Sequence, residues 1–157
     1  MFELLRSLSI DAAAGRATGE AEIGADHPFL ADHFPGHPVL PGTMAVELAA
    51  QVAGPLAEEV VPLRHGCERY AVLGMIREAK FLRPVPLPAR LTFEARVLRS
   101  DVSRIAVGVT ARAGSDEAVL RGELLLAMVE ATGEWDAAVA ERRERVKRWK
   151  QAAEARP

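Results

Sequence analysis

The chain is short of cysteine and of aromatic residues. One cysteine, Cys67, and one tyrosine occur in 157 residues, and aromatics make up 5 %. A single cysteine excludes an internal disulfide and fits a reducing compartment. No Cys-x-x-Cys pair, glycine-rich phosphate loop or internal repeat is present, which removes the common zinc, redox, nucleotide and solenoid classes. A net charge of −2 gives no electrostatic footprint for nucleic acid. No apolar run reaches the length of about 20 residues that crosses a bilayer. The start, Met1-Phe2-Glu3-Leu4-Leu5-Arg6, lacks a basic region followed by an apolar one, so the expected location is cytoplasmic.

What is present is a hydrophobic content of 49 % and a charged content of 27 %, enough for one domain with a real core. Residues 2–10 and 16–23 read as strands joined by a turn at Asp11 to Gly15; Ala17, Gly19, Ala21 and Ile23 alternate with polar neighbours. Residues 24–42 hold four prolines and three glycines and read as a stiff loop. Residues 43–53 read as an apolar helix stopped by Gly54-Pro55. Four more strands follow: 70–81, a run around 91–98, another around 105–112, and 119–129. Short polar turns between them imply antiparallel hairpins. The expected architecture is α+β, one buried helix wrapped by a six-stranded antiparallel sheet. Residues 134–156 contain no proline or glycine and read as a charged helix. Trp135, Val139, Val146, Trp149 and Ala153 form a narrow stripe with Arg142 in the seam. Residues 142–150 carry six basic residues and one acid. Three readings of this helix stand: a solvated face above a docked stripe, a contact with a second chain, or a landing surface for an acidic partner.

Chemistry concentrates in Asp32-His33-Phe34-Pro35-Gly36-His37-Pro38-Val39-Leu40-Pro41-Gly42, which runs into Thr43-Met44-Ala45-Val46-Glu47. His33 is a candidate base, since imidazole titrates near neutrality. Glu47 is the one charged residue between Thr43 and Pro55; burial there would raise its pKa and fit it as an acid. Gly42 opens the helix, where main-chain N–H groups lack internal partners and favour a developing oxyanion. Gln51, one turn beyond Glu47, shares its face. On residue type alone, His33 fits an idle turn position as well as it fits a base. His27, His37 and His65 form no ligand set with it, so no metal and no cofactor are expected.

The string from His33 to Gly42, followed by Glu47-Leu48-Ala49-Ala50-Gln51, resembles the 3-hydroxyacyl-acyl-carrier-protein dehydratases, which have the hot-dog fold. Lys80-Phe81-Leu82-Arg83-Pro84-Val85 after Leu73-Gly74-Met75 is a second match. The resemblance covers residues 2–130 and departs at Asp32, where the family has glycine, and at Pro88-Ala89, where it has glycine-aspartate. It implies a hot-dog unit at 1–132, with a long central helix in a six-stranded sheet, and an added helical extension at 133–157. It implies dehydration of a 3-hydroxyacyl thioester on acyl carrier protein, in fatty-acid or specialised acyl-chain synthesis. His33 and Glu47 would be the catalytic pair. The main-chain carbonyl of Val39 would hold the His33 tautomer, Gly42 would serve the oxyanion, and Gln51 and Phe34 would line the substrate site. It further implies a homodimer whose sites take His33 from one chain and Glu47 from the other. Two competing readings are a hot-dog thioesterase, using a carboxylate and water, and a non-catalytic hot-dog subunit that binds acyl carriers.

Overall fold

The computed structural model describes residues 4–26, 30, 33–114, 117–130 and 133–155. Asp32 and His27, both weighed above, lie outside the described residues. The strands are β1 (Leu5–Asp11), β2 (Arg16–Ile23), β3 (Tyr70–Phe81), β4 (Ala89–Ser100), β5 (Arg104–Ala113) and β6 (Ala118–Val129). They form one antiparallel sheet in the order β1-β2-β4-β5-β6-β3. The inward residues of β4, Leu91, Phe93 and Ala95, alternate with exposed partners, as period-two patterning requires. They pack with Ile105, Val107, Leu124 and Leu126 around the long helix α1 (Gly42–His65). This is the expected α+β hot-dog arrangement.

The helix differs from expectation in one respect. It does not stop at Gly54-Pro55 but runs to His65, with Pro55 and Pro62 inside it. An internal proline costs about 3 kcal/mol. Leu56, Ala57, Val60 and Val61 are wholly buried, and each Val or Leu returns about 1.5–3 kcal/mol on burial. Tertiary packing therefore outweighs the local stop signal. The helix ends where Gly66 takes a left-handed φ of 69° and its N–H donates to the Pro62 carbonyl at 2.9 Å.

The second helix, α2 (Asp136–Glu154), packs along β1. It is stitched to α1 by Arg142 Nη2 to Glu58 at 2.8 Å and Lys150 Nζ to Glu59 at 3.0 Å. Trp149 and Arg145 are buried on its inner face, and Trp135 is exposed.

β3 and β6 meet closely at Gly122, where an added Cβ would lie 2.6 Å from the Glu78 carbonyl oxygen. That oxygen belongs to a strand bulge, where the register shifts between Ile76 and Glu78, so it cannot swing aside as a side chain would. Gly122→Ala is expected to destabilise the fold by roughly 2–3 kcal/mol. Urea unfolding at fixed chain concentration reads this; an unchanged midpoint would show that the bulge yields freely.

Candidate active site

The proline-rich loop is held by its own main chain and by the segment before β4. Phe34 and His37 exchange N–H to carbonyl bonds of 3.3 and 2.9 Å around Gly36, whose φ is 75°. Val39 N–H donates to the His33 carbonyl at 3.0 Å. Leu40 N–H donates to Val85, and Leu87 N–H to Pro38. Residues 38–40 are therefore anchored to residues 85–87, and the Val39 carbonyl that faces the His33 ring is held in place.

The His33 ring is partly buried, with Nδ1 3.1 Å from the Val39 carbonyl oxygen. A carbonyl only accepts, so Nδ1 carries the proton in the neutral ring and Nε2 keeps its lone pair. Phe34 stacks obliquely beside it, 4.7 Å between centroids, and is itself 59 % exposed. His33 borders a cavity of about 630 Å³ shared with Pro41, Gly42, Thr43, Phe81 and Val85. Gly42 opens α1, and its own amide falls among the first-turn groups that a helix leaves without an internal acceptor. A Cβ on Gly42 would lie 2.6 Å from the Phe81 ring, so only glycine leaves this corner of the cavity open.

Glu47 and Gln51 sit on a different cavity of about 200 Å³, which shares no lining residue with the first. Gln51 Nε2 donates to Glu47 Oε1 at 2.9 Å, as their one-turn spacing predicts. The Gln51 oxygen is buried with no hydrogen-bond partner among the described residues. Glu47 itself is exposed in the single chain, which corrects the expectation that it is buried. An apolar stretch of helix indicates that a face is covered, but not that the same chain covers it. One chain thus brings His33, Phe34, Val39 and Gly42 together and places Glu47 and Gln51 apart from them.

Sequence reasoning missed the far side of the Glu47 cavity, which α2 supplies through Arg142, Arg145 and Trp149. Arg142 in the apolar stripe was the available signal, but its partner Glu58 lies beyond the apparent helix stop. Cations along 142–150 meet carboxylates: Arg142, Arg143, Arg145, Lys147 and Lys150 face Glu58, Glu68, Glu141, Glu144 and Glu59. This pairing favours the reading of α2 as a docked helix with a solvated outer face. Among the described residues no cluster of His, Cys, Asp and Glu could hold a metal ion.

Glu58 also accepts the Ala71 N–H at 3.0 Å. Burial holds its carboxyl above the usual carboxylate range, against the opposing pull of Arg142 and that N–H. A raised folded-state pKa gives stability that is complete below the unfolded value and is lost as pH rises through the folded one. Glu58→Gln removes this titration. The stability of the wild type relative to the variant should therefore fall as pH rises from about 4 to about 7. Paired denaturant curves at the two pH values measure it, and a difference that is flat or grows with pH would contradict the assignment.

The chain matches the family model described as a FabA-like domain over residues 3–122. It is 36 % identical over 115 residues to a protein of Natranaerobius thermophilus named 3-hydroxyacyl-[acyl-carrier-protein] dehydratase FabZ, covering 73 % of this chain and 78 % of that one. The protein of the same name from Moorella thermoacetica is 31 % identical over 125 residues, covering 80 % and 84 %. Among solved structures, conserved protein PA5202 of Pseudomonas aeruginosa aligns with a TM-score of 0.61 at 20 % identity, covering 80 % and 88 %. The smu.793 protein of Streptococcus mutans, solved with acetyl CoA, aligns with a TM-score of 0.63 at 14 % identity, covering 85 % and 94 %. At such identities these structures establish the fold alone.

Proposed function

The chain belongs to the FabA-like family, and from that premise we propose that it is a hydro-lyase that dehydrates 3-hydroxyacyl thioesters on acyl carrier protein to trans-2-enoyl thioesters. The observation that carries the reading is the His33 Nδ1 bond to the Val39 carbonyl, which leaves Nε2 as a base beside the first turn of α1. Nε2 takes the C2 proton of the substrate, and the electron pair moves toward the thioester oxygen. The Gly42 amide stabilises the enolate oxygen. The enolate then collapses to the C2–C3 double bond as the C3–O bond breaks. Protonated Glu47 gives its proton to the leaving hydroxyl, which departs as water. The imidazolium of His33 returns its proton to Glu47 to reset the pair. Phe34 and Gln51 contribute to the substrate walls, and Gln51 orients the Glu47 carboxyl through their hydrogen bond.

The site is completed by a second copy of the chain. His33 and Glu47 border separate cavities, and a two-fold pairing would join the cavity of one chain to that of the other. The same pairing would cover Glu47, which stands exposed in the single chain. The dehydratase unit is assigned to 1–132, with 133–157 as an extension whose helix α2 packs on it, and the setting is cytoplasmic acyl-chain synthesis.

The test is mass spectrometry of a 3-hydroxyacyl carrier protein incubated with the pure chain. The expected product has lost one water from the acyl group. Release of a free hydroxy acid would instead favour the thioesterase reading. No reaction until a related subunit is added would favour the non-catalytic one.

A further inference from the structure

We propose that α2 is the stop of the acyl channel, so that this chain prefers 3-hydroxyacyl thioesters with short tails; the inference rests on the dehydratase reading above. The thioester end belongs at Gly42 and His33, and C3 at Glu47, so the remaining acyl carbons enter the cavity that holds Glu47. That cavity runs along α1 past Gln51 to Gly54 and is lined on the other side by Arg142, Arg145 and Trp149. From Glu47 to Gly54 the helix rises roughly 10 Å at its usual pitch. The volume is about 200 Å³, room for roughly six or seven groups of water or methylene size at ~30 Å³ each.

Two guanidinium groups and an indole make up this wall. The Arg142 guanidinium lies directly over Gly54, where a Cβ would come within 2.5 Å of Nη2. Two bonds fix it there, Nη2 to Glu58 at 2.8 Å and Nη1 to the Ala71 carbonyl at 3.0 Å. Arg145 is 5 % exposed and Trp149 8 %. A tail longer than the cavity must displace the indole or part the Arg142–Glu58 pair. The latter would take the cation away from the part-buried Glu58 carboxyl, a cost that burying a few methylenes does not offset.

The experiment uses the full chain and a panel of acyl carrier proteins from 3-hydroxybutyryl to 3-hydroxypalmitoyl. For the wild type, kcat/KM should fall steeply beyond the 3-hydroxydecanoyl member, whose seven carbons past C3 fill the cavity. Trp149→Ala should raise the ratio of kcat/KM for 3-hydroxydodecanoyl over 3-hydroxybutyryl by about tenfold or more, the discrimination that a few methylenes in a pocket supply. Because loss of the indole can unseat α2, Arg142→Met combined with Glu58→Gln is the second variant. It removes both charges together, keeps most of the bulk, and should shift the ratio in the same direction. A length-blind wild type, or wild-type profiles in both variants, overturns the stop while leaving the dehydratase reading in place. A wild type that dehydrates no member overturns both.

Discussion

His33→Ala and Glu47→Gln should each lower kcat for dehydration by about 10²–10⁴-fold, the usual worth of a positioned proton-transfer group. Neither side chain is needed for folding. Among the described residues His33 Nδ1 meets the Val39 carbonyl, and Glu47 stands exposed with a bond from Gln51. Thermal midpoints should therefore stay near that of the wild type. The stronger form of the experiment mixes the two inactive variants. If each site takes His33 from one chain and Glu47 from its partner, a mixed dimer contains one intact site and one doubly impaired site. Random exchange of equal amounts makes half of the dimers mixed, so activity should recover to about one quarter of the wild-type value. If both residues served from one chain, no mixed dimer would hold an intact site and mixing would recover nothing. Equal and undiminished turnover in both single variants would remove the proposed chemistry altogether.

The His33 half of this site is legible in sequence because prolines and glycines restrict the backbone whatever surrounds them. Pro35, Gly36, Pro38 and Pro41 leave the loop few alternatives, and the bond to Val39 follows from its local hairpin. The strands are legible for a related reason: one face of each is buried, so residues alternate in type along it. The second half of α1 is not legible, since Gly54-Pro55 is a stop signal by every local rule. What overrides it is the burial of Leu56, Val60 and Val61 against the sheet, a tertiary effect invisible to a window of residues. The role of Gly54 follows from the same error. It ends no helix; it clears space for Arg142 from a segment almost ninety positions away. Exposure of Glu47 was missed because sequence records which faces are apolar and not which chain covers them.

The strand β3 carries the same lesson into a measurable form. It lies at one end of the sheet order and pairs with β6 alone among the described residues. An edge of this kind presents unpaired N–H and C=O groups and is a template for another chain. Proteins usually blunt such edges with charge, yet Val72, Leu73, Met75 and Ile76 are consecutive large apolar residues around Gly74, and all are exposed in the single chain. In the proposed dimer a second copy covers them. Met75→Lys combined with Ile76→Lys places two cations on that edge, and pairing through a two-fold axis doubles them to four. The expected result is a monomer by sedimentation or light scattering, while the wild type runs as the proposed dimer at the same concentration. Dehydratase activity should fall by at least about 10²-fold, although His33 and Glu47 are untouched, because each site would lose the residue its partner contributes. Raising the protein concentration should restore size and activity together. A variant that stays monomeric with full turnover would show that one chain suffices, and a variant that stays dimeric would place the interface elsewhere on the molecule.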